Sequence, residues 1–338
     1  MTVETRIQAF IQLGELIRNL TAKQKELLFS QAENRNNWFT QTNCEDAMEG
    51  IAFLLKEEKL RTWLAAYPLV ENIAPKKVGV LMAGNIPLVG FHDLMTVLIS
   101  GHYAHVKLSS SDEVLMKWVI TRLIEIQPEF DKRIEISEML KAKDAYIATG
   151  SDNSARYFSY YFGKYPAIIR QNRTSVGIFD GSESEDELRN FGKDVFQYFG
   201  LGCRNVSKIF VKDEDQLIRL LDSLEVYQDM ANHHKYHNNY DYNKSIYLVN
   251  GEPHLDNGFL ILKQSSELVS PISVLYYSFY ENLDSLKNQL DTHQDKIQCI
   301  VANPQVWSGA VPFGAAQRPE VWDYADGVDT MAFLAGLK

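Results

Sequence analysis

The sequence predicts an α/β protein of two doubly wound domains with a cleft between them. Short apolar runs alternate three times with a turn and a helical stretch between residues 77 and 162. The same alternation resumes near Ser175. At 338 residues, the chain is long enough to bury two cores of ordinary size.

Taken in order, Ile7, Phe10, Ile11, Leu13, Ile17, Leu20, Leu27 and Leu28 recur at helical spacing, and residues 6–30 read as helical. Met48, Ile51, Leu54, Leu55, Leu60 and Leu64 do the same over 45–66, before Pro68 and Pro75 punctuate the chain. Residues 78–83 have no helical period and suit a buried strand. Gly84-Asn85-Ile86-Pro87 then turns the chain into a helix through Phe91, Leu94, Val97 and Leu98. Residues 104–108 and 144–149 are the next strands, followed by helices over 114–126 and 153–162. This repetition is the pattern of a parallel sheet, in which ligands bind outside the carboxyl ends of the strands. Those ends carry Gly84-Asn85, Lys107 to Ser110, and Gly150-Ser151.

Beyond residue 174, strands are expected at 175–179, 208–211, 245–249, 258–262, 274–279 and 297–301, with helices at 185–199 and 213–230. The expected division is 1–174, opening with the N-terminal helices, and 175–310. Residues 311–338 are expected to return to the first domain.

A formal net charge of −10 argues against a general nucleic-acid binder, which needs a basic surface. No apolar run approaches the roughly 20 residues of a membrane span, and Met1 to Arg6 open an amphipathic pattern rather than a signal peptide. Cys44, Cys203 and Cys299 are odd in number and far apart, which suits a reducing compartment and a cytoplasmic protein. His233 and His237 stand at i, i+4 spacing, but zinc sites usually take three or four ligands, so no metal is expected and a polar loop or helix end is.

Cys203 is the candidate nucleophile. Gly200-Leu201-Gly202 precede it, and glycine allows the backbone angles and close approach that a thiol turn needs. Such a thiol can meet a carbonyl carbon while backbone amides face the developing oxyanion. The plainer reading is a small buried hydrophobe.

Six segments, in order, resemble the aldehyde dehydrogenase superfamily, and within it the LuxC-type acyl-CoA reductases, over about residues 70–320. They are Ala83 to Gly90, Val106 to Ser111, Ala148 to Ser151, Gly200 to Cys203, Ser266 to Pro271, and Val311 to Gly314. The resemblance implies Cys203 and Asn85 as the catalytic pair, with the Asn85 amide in the oxyanion hole. It implies Lys107, Ser109, Gly150, Ser151 and Glu267 as cofactor contacts, and Phe313 at the border of the substrate channel. The cofactor implied is NADPH, with NADH as the alternative. The superfamily holds its dinucleotide without Gly-x-Gly-x-x-Gly, so that motif is not expected.

Two departures bear on function. Leu108 stands where the family often has proline. Residues 168–175 lie about where hydrolytic aldehyde dehydrogenases carry Glu-Leu-Gly-Gly, and here Arg170 and Arg173 replace the glutamate that activates water. Hydrolysis of an acyl-enzyme needs a general base, so reduction is favoured. The arginines are candidates for phosphate of the cofactor or of CoA, guanidinium matching phosphate bidentately, with a surface ion pair as the equal alternative. The expected activity is reduction of an acyl-CoA or acyl-protein thioester to an aldehyde. The alternatives are an oxidative aldehyde dehydrogenase, or an inactive nucleotide-binding or assembly partner. The resemblance also allows an acyl-transferring protein partner and a homo-oligomer.

Overall fold

The computed structural model describes residues 1–71, 74–150 and 152–337, apart from the side chains of Asp152 and Asn153. The chain forms two units. One is Met1–Asn172 with the segment from Glu320 onward, and the other is Arg173–Pro319.

The first unit opens with α1 (Val3–Arg18) and α2 (Ala22–Arg35) where one helical stretch is expected. Thr21 makes the break. Its hydroxyl accepts from Gln24 N–H while the Gln24 side chain accepts from Thr21 N–H, so a new helix is capped inside an unbroken apolar pattern. The second stretch likewise divides into α3 (Gln41–Leu54) and α4 (Glu57–Leu64). Then follow β1 (Lys77–Leu81), α5 (Phe91–Ser100), β2 (Tyr103–Lys107), α6 (Glu113–Ile126), β3 (Ile134–Ile136), β4 (Ala145–Thr149), α7 (Asp152–Phe162) and β5 (Ala167–Arg170).

The strands lie in the order β3-β2-β1-β4-β5, all parallel. Val78, Val80, Ala104, Val106, Ala145 and Ile147 are fully buried, which explains why these strands read as continuous apolar runs. The order reverses between β1 and β4, so the loops after these two strands flank a topological switch point. β3 and β5 escape a pattern search, being three and four residues long.

The segment from Glu320 packs on this unit. Trp63 Nε1 donates to the Tyr324 hydroxyl at 2.7 Å, and a His102 ring nitrogen lies 3.0 Å from the Leu334 carbonyl. The C-terminal helix, Thr330–Ala335, buries Met331 and Leu334.

The second unit contains β6 (Thr174–Ile178), α8 (Glu185–Phe196), β7 (Val206–Val211), α9 (Glu214–Leu224), α10 (His234–Val249), β8 (Leu255–Asp256), β9 (Ile261–Gln264), β10 (Val274–Phe279), α11 (Leu283–Asp291) and β11 (Ile297–Val301). Its sheet runs β11-β6-β7-β10-β9-β8, parallel except for β8 against β9.

The strand expected at 245–249 is instead the last turn and a half of α10. Tyr236, Tyr240, Asn243 and Tyr247 are buried at helical spacing, while Leu248 and Val249 face solvent. The helical period of the buried tyrosines outweighs the strand propensity of Ile246 to Val249. The strand expected at 258–262 starts later, at Ile261. Gly258 is left-handed at φ +95°, and its N–H is tied to the Asp256 carboxylate.

Candidate active site

In the first unit the residues singled out at the strand ends do fall at the carboxyl edge of the sheet. Asn85 is exposed on the loop after β1, Lys107 is exposed at the end of β2, and Ser109 follows it half-buried. Gly150 follows β4, and Ser151 lies outside the described residues. The loops after β1 and β2 touch closely. A Cβ on Gly84 would stand 2.3 Å from Ser109 Oγ and 2.5 Å from Ser109 Cβ. A Cβ on Gly150 would stand 2.7 Å from the Phe158 ring and 2.9 Å from Ser154 Cβ.

Asp112, which carries no signal in the sequence reading, underpins this edge. Its Oδ2 accepts from Leu88 N–H at 2.8 Å and so holds the Asn85 loop where Leu88 turns left-handed at φ +59°. Burial pushes its carboxyl well above the usual carboxylate range.

Arg170 is buried, with Nη1 2.6 Å from Asp93 and Nη2 donating to Thr330 at 2.8 Å. Most of its fork therefore serves to join β5 to α5 and the C-terminal helix. In the second unit, Arg173 Nη1 donates to the Ile297 carbonyl at 3.2 Å.

The second unit presents the thiol. α8 stops at Phe196, and Tyr198, Phe199 and Gly200 follow at φ +54°, +58° and +77°. Two consecutive non-glycine residues in that region cost roughly 1–2 kcal/mol each. Phe199 is held there by stacking on His233, with ring centroids 4.2 Å apart. The chain then closes a β-turn, Asn205 N–H donating to the Gly202 carbonyl at 3.0 Å, which places Cys203 and Arg204 at its two corners.

The buried Asn205 side chain fixes that turn. Its Oδ1 accepts from Gly202 N–H at 2.8 Å, and its amide donates to the carbonyls of Asp194, Val195 and Gln197. Ser175 Oγ donates to the Cys203 carbonyl at 3.1 Å. The same hydroxyl lies 3.1 Å from Cys299 Sγ, and with its one proton given to Cys203 it accepts from the Cys299 thiol. Cys44 is buried and pushed up to about 12 by that burial. Cys203 and Cys299 are both half-buried, and Cys203 is the one at a turn corner.

Two further groups frame the site without a signal in the sequence reading. Asp194 on α8 is fully buried and accepts from Gly314 N–H at 2.6 Å and Ala316 N–H at 2.9 Å. It thereby anchors the segment of Phe313, whose ring lies 5.3 Å from Phe179 and 6.0 Å from Phe191. Burial raises its carboxyl to about 7, against the pull of those two N–H donors. The signal was available: Asp194 lies one turn beyond Phe191 on the stripe shared by Leu188 and Val195, where a polar residue needs partners.

Lys208 on β7 is also fully buried, and its ammonium donates to the Ser265 carbonyl. Ser278 donates to that carbonyl as well, and Ser207 to the Leu268 carbonyl at 2.6 Å. The loop bearing the exposed Glu267 is thus fastened to β7 and β10. Among the described residues there is no cluster of three or more groups suited to a metal ion. His233 instead caps α10, accepting from Tyr236 N–H. No described helix is long and apolar enough to cross a membrane.

The chain is similar to known proteins in sequence and in fold. The family described as Acyl-CoA reductase (LuxC) matches residues 14–235, a span that holds Asn85, Lys107, Gly150 and Cys203. No curated protein matches the chain. Among solved structures, it is similar to aldehyde dehydrogenase 21 of Physcomitrella patens in complex with succinate. That match has TM-score 0.66 and 10% identity, covering 99% of this chain and 84% of the other. It is similar to a Mycobacterium tuberculosis aldehyde dehydrogenase complexed with NAD+, with TM-score 0.63 and 11% identity over 94% and 75% of the two chains. An acetylating aldehyde dehydrogenase from Geobacillus thermoglucosidasius matches with TM-score 0.62 and 10% identity over 95% and 86%. At these identities the likeness establishes the fold: an aldehyde dehydrogenase-like α/β architecture.

Proposed function

Since the chain belongs to the LuxC family of acyl-CoA reductases, we propose that it reduces an acyl thioester to an aldehyde through an acyl group carried on Cys203. The observation that carries this reading is the thiol turn. Cys203 stands half-buried at a β-turn corner clamped by Asn205 and Ser175, while Cys44 is buried and Cys299 donates to Ser175.

In the proposed reaction the Cys203 thiolate attacks the thioester carbonyl. The bond to the donor sulfur breaks, and that sulfur leaves with the proton given up by Cys203. Asn85 and the Cys203 backbone N–H are assigned to the oxyanion. The residues that would hold a nicotinamide dinucleotide are Lys107, Ser109, Gly150 and Ser151 in the first unit and Glu267 in the second. The tight glycine contacts at Gly84 and Gly150, on loops flanking the switch point, fit such a ligand. A reduced nicotinamide, NADPH in our reading, supplies when bound the hydride that the acyl carbon takes up. Cys203 recovers its thiolate as the aldehyde departs.

Hydrolysis is disfavoured in this reading because Arg170 and Arg173 stand about where hydrolytic aldehyde dehydrogenases carry the water-activating glutamate. Asp194 is the carboxylate nearest in the chain, and both its oxygens are occupied by backbone N–H groups. The donor is acyl-CoA, or an acyl-protein if a partner supplies the chain.

Intact-mass spectrometry with a panel of acyl-CoAs and no nucleotide tests the proposal. Wild type should gain the acyl mass and release it as aldehyde on adding NADPH, while Cys203→Ala should gain nothing. Oxidation of aldehydes without any CoA requirement would favour the oxidative alternative instead.

A further inference from the structure

The thiol turn and the Phe313 segment are both tied to the end of α8. The Asp194 carbonyl takes the Asn205 amide that fixes the turn, and the Asp194 carboxylate takes the N–H groups of Gly314 and Ala316. From the other side, Arg204, next to the thiol, donates to the Ala316 carbonyl at 3.5 Å. Gly314 leaves no slack. It is left-handed at φ +83°, and a Cβ there would lie 2.9 Å from Asn190 Cβ on the same helix. One residue thus carries a closed circuit of hydrogen bonds from Cys203 to the segment that presents an aromatic ring.

We propose that Asp194 is a positioning residue that fixes the Phe313 segment at a set distance from the Cys203 turn, and that this spacing selects among acyl chains. The proposal rests on the reading of Cys203 as the acyl acceptor and of Phe313 as a border of the acyl channel. A carboxylate suits the task because it accepts from both N–H groups at once, whereas an isosteric amide can accept from one and must turn an NH2 donor toward the other. Losing one tie frees the segment without emptying the space, and discrimination by an apolar wall depends on the wall staying in place.

The test compares wild type with Asp194→Asn in two reactions at Cys203. One is acylation by butyryl-CoA and by myristoyl-CoA, and the other is alkylation by iodoacetamide, a probe too small to sense the segment. Wild type should discriminate between the two acyl donors. In Asp194→Asn the ratio of the two rates should move toward unity by about tenfold, with alkylation unchanged within about twofold. If the variant does not fold, Arg204→Gln removes a separate tie to Ala316 and must move the ratio the same way.

An unchanged ratio overturns the proposal, as does a wild type that takes both donors equally. A parallel loss of alkylation would make Asp194 a mere support of the thiol turn, and also overturns it. If wild type is alkylated but never acylated, the acyl-transfer reading fails and takes this inference with it.

Discussion

The thiolate is the attacking species, so what Cys203 can do depends on the groups that present it. Asn205 and Ser175 hold its backbone, and neither touches its sulfur in the contacts described above. Lys208 plays a comparable part beneath the Glu267 loop. Burial lowers its ammonium to about 8, while Glu267 pulls it upward. An unfolded lysine titrates near about 10.4, so between those values the unfolded chain binds more protons than the native one. Stability from this group therefore rises with pH across that window and is flat below it. Lys208→Met removes the titration. The melting temperature of wild type should gain on that variant from pH 8 to pH 10, and two parallel curves would refute the burial argument. Glycines in its turn single out Cys203 in the sequence, and an apolar helix stripe singles out Asp194. Asn205 and Lys208 carry no such mark, and their polar side chains look like ordinary surface until their buried partners, up to 57 residues away, are known.

At the level of elements, the alternating strands and helices announced themselves wherever burial was complete on both faces. Val78 to Val80 and Ala145 to Ala148 are of this kind. Where a segment is half-exposed, local propensity misled, as at Ile246 to Val249. The left-handed run at Tyr198-Phe199 had no warning in its residue types, since neither is a common left-handed former. It exists because His233, far along the chain, stacks on Phe199. The contact between the loops after β1 and β2 carries a direct consequence. Gly84→Ala drives a methyl into Ser109 and forces the two loops apart. Titration of NADPH against this variant should give a Kd raised about tenfold, equivalent to about 1.4 kcal/mol. An unchanged Kd would detach this edge from the cofactor.

Across the whole molecule, the two sheets differ in how the chain supplies them. The second unit is continuous in sequence, whereas the first needs the segment beyond Glu320. The buried pair of Arg170 with Asp93, joined by Thr330, lies at that junction. Removing one partner leaves a charge uncompensated, at a typical cost of about 3–5 kcal/mol. Arg170→Met should therefore lower the melting temperature sharply, and adding Asp93→Leu should restore much of the loss. A double variant no better than the single one would refute the pairing argument.

The return of the segment beyond Glu320 also imposes an order on synthesis. Trp63, His102 and Arg170 leave the ribosome long before Tyr324, Leu334 and Thr330 exist to meet them. The second unit has all its residues in hand while the first is still waiting for its own. Of the two units, the one begun first is thus the one completed last, and until then its open face is the surface for chaperones to guard.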